Sequence, residues 1–164
     1  MGTIEKQQTI KNMCPADQNA ADEFLKDMAI DVLARTIYGE ARSETLEGMK
    51  AVAHVVLNRV AKAKKNNGKY WWGHDVITVC QKPYQFSCWN PGDPNRKKLM
   101  SVGRKSSSFR KCIEVATLAV NGDLGKDITN GADHYHTTAV APKWSLGRKP
   151  ISQFGTHVFF KLEG

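Results

Sequence analysis

The sequence predicts a mainly helical α+β domain with a small β-hairpin near its C-terminus. Apolar residues recur at three- and four-residue steps over three stretches, the signature of helices buried on one face. Period-two alternation appears only near the end, at His134-Tyr135-His136 and His157-Val158-Phe159-Phe160. The 164 residues suit one core, and no low-complexity segment or long linker divides them.

Taken in order, residues 1–20 read as a loose N-terminal arm and 21–164 as a single domain. Asp17, Asn19 and Asp22 are candidate caps for a first helix through Phe24, Met28, Val32, Leu33 and Ile37, with Gly39 near its end. Ser43 is the candidate N-cap of a second helix, 46–60, whose inner stripe is Leu46, Met49, Val52, Ala53, Val56 and Val60. Glu44 and Glu47 fall where acids favour the dipole of that helix. Lys62 to Lys69 reads as a polar connection, and Asp75 to Cys80 as a short strand or a helical turn. Residues 81–95 hold Pro83, Pro91, Gly92 and Pro94 and read as a structured loop. Phe109 to Val120 is a third core helix, stopped by Asn121-Gly122-Asp123.

Composition narrows the function classes. No apolar run approaches the roughly 18 residues a membrane-spanning helix needs, and Met1 to Gln8 lacks the apolar core of a signal peptide. Synthesis in the host cytoplasm is the expectation. The net charge of +8 implies an anionic partner. Residues 96–112 carry Arg96, Lys97, Lys98, Arg104, Lys105, Arg110 and Lys111 and no acid; Lys62, Lys64, Lys65 and Lys69 form a second cluster. Each is either a solvated face or a patch that holds the protein near an anionic wall or outer-surface polymer. Cys14, Cys80, Cys88 and Cys112 are widely and irregularly spaced, which excludes a zinc finger or knuckle. Reduced thiols are the default, with a Cys80–Cys88 bridge the alternative in an oxidising compartment.

The richest stretch is Ile37-Tyr38-Gly39-Glu40-Ala41-Arg42-Ser43-Glu44. It sets a carboxylate at the end of one helix, beside a glycine and just before a second helix, at a cleft edge. A glycoside-cleaving enzyme needs its proton donor at such a place, because a glycosidic oxygen leaves poorly unless protonated as its bond breaks. The donor must stay protonated near neutral pH, which burial among apolar groups achieves. Tyr38, Phe86 and Trp89 are candidate walls for that pocket.

The motifs resemble those of the bacterial and phage cell-wall hydrolases of the spore cortex-lytic enzyme type, over about residues 30–160. The resemblance rests on Ala34 through Glu44, then Glu47-Gly48, Ala51-Val52-Ala53 and Val56-Leu57-Asn58-Arg59-Val60. Gln85-Phe86-Ser87-Cys88-Trp89 resembles a middle motif. Gly131 through His136 with Trp144, and Ile151 through Phe159, resemble C-terminal ones. His136 stands where an aromatic is usual and Ser43 where glycine is common.

The resemblance implies a lysozyme-like, lytic-transglycosylase-like fold. It also implies cleavage of the β-1,4 bond between N-acetylmuramic acid and N-acetylglucosamine in peptidoglycan. Glu40 would be the general acid and base, the muramic 6-hydroxyl the nucleophile, and a 1,6-anhydro end the product. A water-using muramidase with a second carboxylate, Glu44 or Glu47, is the alternative. A monomeric phage-type endolysin released with a holin, acting on wall murein, is the implied biological role.

For substrate binding the candidates are Glu47, Gln85, Phe86, Ser87, Trp89, His134 and Tyr135. Aromatic faces stack on pyranose rings, and amides and hydroxyls bond the N-acetyl and ring hydroxyl groups. Trp71 and Trp72 are either core or, for one of them, a distant subsite. Asn58 and Arg59 are expected to tie helix to loop. His134, His136 and His157 are the one conceivable metal trio, but no acid sits at a ligand spacing, and neither metal nor cofactor is expected. A nucleic-acid module lacks any recognisable signature, so no nucleic-acid partner is expected. A non-catalytic wall-binding protein would not be expected to keep Glu40.

Overall fold

The computed structural model describes residues 15–164. Its first helix, α1 (Pro15–Ala41), runs about 40 Å. Only its second half enters the core, through Leu33, Ala34, Ile37 and Ala41; Phe24, Leu25 and Met28 are exposed. The arm expected over 1–20 lies outside the described residues up to position 14, and residues 15–20 are helical. Asp17, Asn19 and Asp22 therefore sit inside α1 rather than capping it.

The turn after α1 closes when the Glu44 N–H donates to the Ala41 carbonyl at 3.0 Å. That bond absorbs Ser43 into the turn and moves the N-cap to Thr45, whose hydroxyl accepts from the Gly48 N–H at 3.3 Å. The second helix, α2 (Leu46–Lys65), runs past the expected end at Val60. Residues 61–65 are alanines and lysines, good helix formers, and the lysines favour the C-terminal dipole. α2 is buried on two sides. Met49, Val52, Ala53 and Val56 face α1 and the other helices, while Ala51 and Val55 meet Ala132 and Phe159 of the sheet region. Leu46, expected in the inner stripe, is exposed.

Asp75 caps α3 (Val76–Gln81) in a reciprocal capping box with Thr78, which resolves the strand-or-helix alternative. A single 3₁₀ turn follows, Ser87–Trp89. The expected loop then gives way to α4 (Pro94–Ser101), started by the Asp93 carboxylate on the Asn95 N–H with proline in its first turn. α5 (Ser107–Val120) is capped by Ser106 and stops at Gly122, whose φ is +78°. α1 packs against all four of the other helices and the 3₁₀ turn. Cys80, Cys88 and Cys112 are free and buried.

The sheet has three strands, not a two-stranded hairpin alone. β1 (His134–Thr137) pairs antiparallel with β3 (His157–Phe160), and β2 (Ser152–Phe154) pairs with the other side of β3. The tight hairpin is β2–β3; β1 joins it across residues 138–156 in the register Tyr135↔Phe159. Tyr135, His157 and Phe159 share the face turned to the helices, while His134, His136 and Phe160 gather with Trp144 on the other.

One close approach fixes the geometry beside Glu40. A Cβ on Gly39 would lie 2.7 Å from Cys88 Cβ and 2.9 Å from its sulfur. The 3₁₀ turn thus rests on α1 where the helix has no side chain. Glycine inside a helix ordinarily costs about 1 kcal/mol against alanine. Here the sign reverses: Gly39→Ala is expected to lower stability by about 1–3 kcal/mol through overpacking, read as a lower denaturation midpoint in urea. An unchanged or raised midpoint would contradict this packing.

Candidate active site

Between the helices and the sheet lies a cleft of about 500 Å³. Glu40, in the last turn of α1, lines it beside Arg59 and Tyr135. Phe86, Gln85 and Ser87 form one wall, and His134, His136 and Trp144 the opposite one. Trp71 and Tyr84 stand at the rim, both exposed. Tyr84 has φ +64°, a left-handed conformation rare for a bulky residue. Its N–H is held by the Asn90 side chain at 3.1 Å.

Glu40 has the environment a proton donor requires. Burial pushes its carboxyl above the ordinary carboxylate range. Hydrogen bonds from the Cys88 thiol, the Cys88 backbone and the Tyr135 hydroxyl pull the other way without cancelling the rise, and the charge of Asp93 adds to it. Burial likewise raises the Cys88 thiol, with the Glu40 charge adding, so Cys88 stays a neutral donor. Tyr135 is raised chiefly by burial as well and keeps its proton.

Arg59 organises the cleft. It is 5% exposed, and burial lowers its pKa from the ordinary guanidinium value. Its Nε donates to the Asp133 carbonyl at 2.8 Å and Nη1 to Gln85 Oε1 at 3.2 Å. The guanidinium lies 5.0 Å from the Trp72 ring centroid and 5.3 Å from that of Phe86. Trp72, fully buried, returns a hydrogen bond from Nε1 to the Arg59 carbonyl at 3.0 Å. Beside it, Asn58 holds the Asp127 carboxylate at 2.8 Å and the Ala132 carbonyl at 2.9 Å, so both residues tie α2 to loops as the sequence suggests.

Just before β1, the Asp133 carboxylate takes hydrogen bonds from His134 Nδ1 at 2.9 Å and from the N–H groups of Leu162 and Glu163. Burial works to raise its pKa, and these bonds outweigh that and hold it below the usual range.

Of the residues expected from sequence, Glu40, Gln85, Phe86, Ser87, His134 and Tyr135 meet at this cleft. Trp89 does not: its Nε1 donates to Thr36 Oγ1 at 2.9 Å, which turns the ring onto α1 as a strut. Glu47 does not either; it is exposed in the first turn of α2, away from the buried stripe. Tyr38 packs edge-on against Phe109 rather than walling the cleft. His157 sits on the opposite sheet face from His134 and His136, so the three do not converge on a metal. Among the described residues no three potential ligands are grouped.

Sequence reasoning missed Arg59 as a cleft residue and Cys88 as a partner of Glu40, and left open which of Trp71 and Trp72 is core. For Trp71 and Trp72 the signal was the pair itself, which divides into one rim and one core residue. Arg59 and Cys88 stand in the quoted motifs, but their contacts at the cleft involve segments distant in the chain and could not be read from them.

The sequence family described as Cell Wall Hydrolase matches residues 43–160, beginning just after Glu40. The spore cortex-lytic enzyme of Bacillus cereus is 31% identical over 134 residues, 80% of this chain and 44% of that protein. The spore cortex-lytic enzyme of Bacillus subtilis is 29% identical over 159 residues, 91% of this chain and 45% of that protein. The chain thus spans less than half the length of these curated relatives. The crystal structure of the catalytic domain of the Bacillus cereus SleB protein superposes with a TM-score of 0.60 at 28% identity, covering 81% of this chain and 89% of that one. The catalytic domain of the germination-specific lytic transglycosylase SleB from Bacillus anthracis gives 0.61 at 28% identity, over 81% and 93%. The lysozyme-like architecture implied by the motifs is the one found. With most of its length matched and the fold of a catalytic domain reproduced, this chain belongs to the cell wall hydrolase family.

Proposed function

We propose that this chain cleaves the β-1,4 bond between N-acetylmuramic acid and N-acetylglucosamine in peptidoglycan as a lytic transglycosylase, with Glu40 as its only acid/base. The observation that carries the reading is a buried carboxyl, raised above the ordinary range, facing a cleft with aromatic walls. Among the described residues that line the cleft, Glu40 is the only carboxylate. Glu44 accepts from Thr156, and Glu47 points away. A mechanism needing one acid is therefore favoured over one needing two.

In that mechanism protonated Glu40 gives its proton to the glycosidic oxygen as the C1–O bond breaks. The Cys88 backbone and thiol and the Tyr135 hydroxyl stabilise the carboxylate so formed. The carboxylate then takes the proton of the muramic 6-hydroxyl as that oxygen bonds C1. The 1,6-anhydro ring closes, Glu40 is protonated again, and no water is consumed. Gln85, Ser87 and His134 offer polar groups to the sugar, and Phe86 and Trp144 offer apolar faces.

Glu40→Gln is expected to cut the rate on purified murein by about 10²–10⁴-fold. Mass spectrometry of the wild-type digest is expected to show 1,6-anhydro-muramic ends. Reducing muramic ends would instead establish a muramidase, and undiminished cutting by the mutant would remove Glu40 from the chemistry.

The raised carboxyl also has a stability sign. A pKa higher in the folded than in the unfolded chain contributes stability below the unfolded value, and this is lost as pH rises through the folded one. Wild type should thus lose ground to Glu40→Gln on going from pH 4 to pH 8. The mutant is expected to melt at a higher temperature than wild type at the upper pH and to show no such gain at the lower. Equal gains at both pH values would contradict a raised Glu40.

The phage-type role belongs to the same proposal. Co-expression with a holin is expected to lyse the host, while expression of this chain alone is not. The readout is culture turbidity.

A further inference from the structure

A second carboxylate lies close to the site and is held in a different way. Glu44 occupies the turn between α1 and α2, and its side chain is 10% exposed. It is seated on the β2–β3 turn, 112 residues along the chain from Glu44 to Thr156. Thr156 Oγ1 donates to Glu44 Oε1. Gly155 makes room for the same carboxylate: its φ is +57°, and a Cβ there would collide with Oε2. His157 Nδ1 lies 3.9 Å from Oε1, is fully buried, and makes no hydrogen bond among the described residues.

The imidazole carries this contact toward the cleft. Its ring meets the Tyr135 ring edge-on, with centroids 5.0 Å apart, and both rings pack on Phe159. Tyr135 lines the cleft beside Glu40 and donates to it. Burial holds His157 below the ordinary imidazole range, with Glu44 pulling the other way. The ring is thus a neutral wedge behind Tyr135.

We propose that Glu44 is a positioning residue: its carboxylate clamps the Gly155–Thr156–His157 turn onto the end of α1, and the clamped His157 holds Tyr135 against Glu40. The proposal rests on the assignment of Glu40 and gives the neighbouring acid a geometric role instead of a chemical one. The seat explains the sequence around it. Glycine is required where the carboxylate lies against the backbone, a hydroxyl where it accepts, and an aromatic ring with a polar edge where it faces the tyrosine.

The test compares Glu44→Ala, Glu44→Gln, Thr156→Val and Thr156→Ser by initial rates on soluble, un-crosslinked glycan strands, with Glu40→Gln alongside. A misplaced partner of the acid acts on the chemical step. Glu44→Ala should lower kcat about 10–100-fold, with KM within about two-fold of wild type. Thr156→Val should fall in the same direction. Glu44→Gln keeps the shape and an acceptor, and Thr156→Ser keeps the hydroxyl; both should recover to within about three-fold of wild type.

Loss in Glu44→Gln as deep as in Glu44→Ala would overturn the proposal, because the charge itself would then be needed. An unchanged kcat per folded molecule in Glu44→Ala would also overturn it, since the clamp would be structural only. If that variant does not fold, an unchanged kcat in Thr156→Val has the same force. Full activity in Glu40→Gln would remove the reading on which the proposal stands, and the proposal with it.

Discussion

The buried guanidinium of Arg59 ties the helices to both the sheet region and the loop before the 3₁₀ turn, across the cleft. The sheet is too small to stand alone and leans on α2, where Ala51 and Val55 pack against Ala132 and Phe159. Three strands of three or four residues bury little surface. Arg59 crosses between helices and sheet, with one hydrogen bond to the Asp133 carbonyl just before β1 and one to Gln85 in the loop before the 3₁₀ turn. Neither partner is a carboxylate, so the charge is accommodated by a carbonyl, an amide oxygen and the faces of Trp72 and Phe86. A buried charge without such partners would be costly; with them, it fixes the distance between the walls of the cleft.

The same economy of contacts appears on the opposite side, at Gly39. There the absence of a side chain lets the 3₁₀ turn come down on α1, and the backbone and thiol of Cys88 reach Glu40. Arg59 spaces the cleft, and Gly39 sets the acid's partners within it. Trp89 belongs to this second contact: its indole N–H on Thr36 holds the turn in place and keeps the ring out of the cleft. That explains why a motif residue expected at the substrate acts as a strut.

How much of this was legible in the chain follows from where each determinant lies. α2 and α5 were legible because their apolar positions repeat at helical spacing within one segment. α4 was not: it buries Leu99 alone among lysines and arginines, and the prolines before it read as loop. Its start signal, Asp93 followed by Pro94, was present but outweighed. β2 exists only because β3 pairs with it, so three residues of sequence carry no sign of it. At the site, the position of Glu40 at the cleft was legible from its local motif. The burial of Arg59, the Cys88 contact, and the removal of Glu47 from the cleft were not, because each depends on a segment remote in sequence. The placement of the second cap on Thr45 rather than Ser43 is a smaller case, decided by one backbone hydrogen bond back to Ala41.

A single carboxylate that serves as acid and then as base meets conflicting demands. Burial alone would make Glu40 a ready base but a reluctant acid, since the charged form left after proton transfer would be poorly solvated. Exposure would make it ionised before the substrate arrived. The surroundings of Glu40 combine opposing effects: apolar burial and the Asp93 charge favour the proton, while three donors favour its loss. In the mechanism proposed, these donors are already in place to solvate the carboxylate when it forms. Their positions then matter as much as their number, and those positions are set by Gly39 beneath Cys88 and by the aromatic packing behind Tyr135. Glu40 is thus tuned by the backbone and rings around it, and among the described residues it is the only carboxylate lining the cleft.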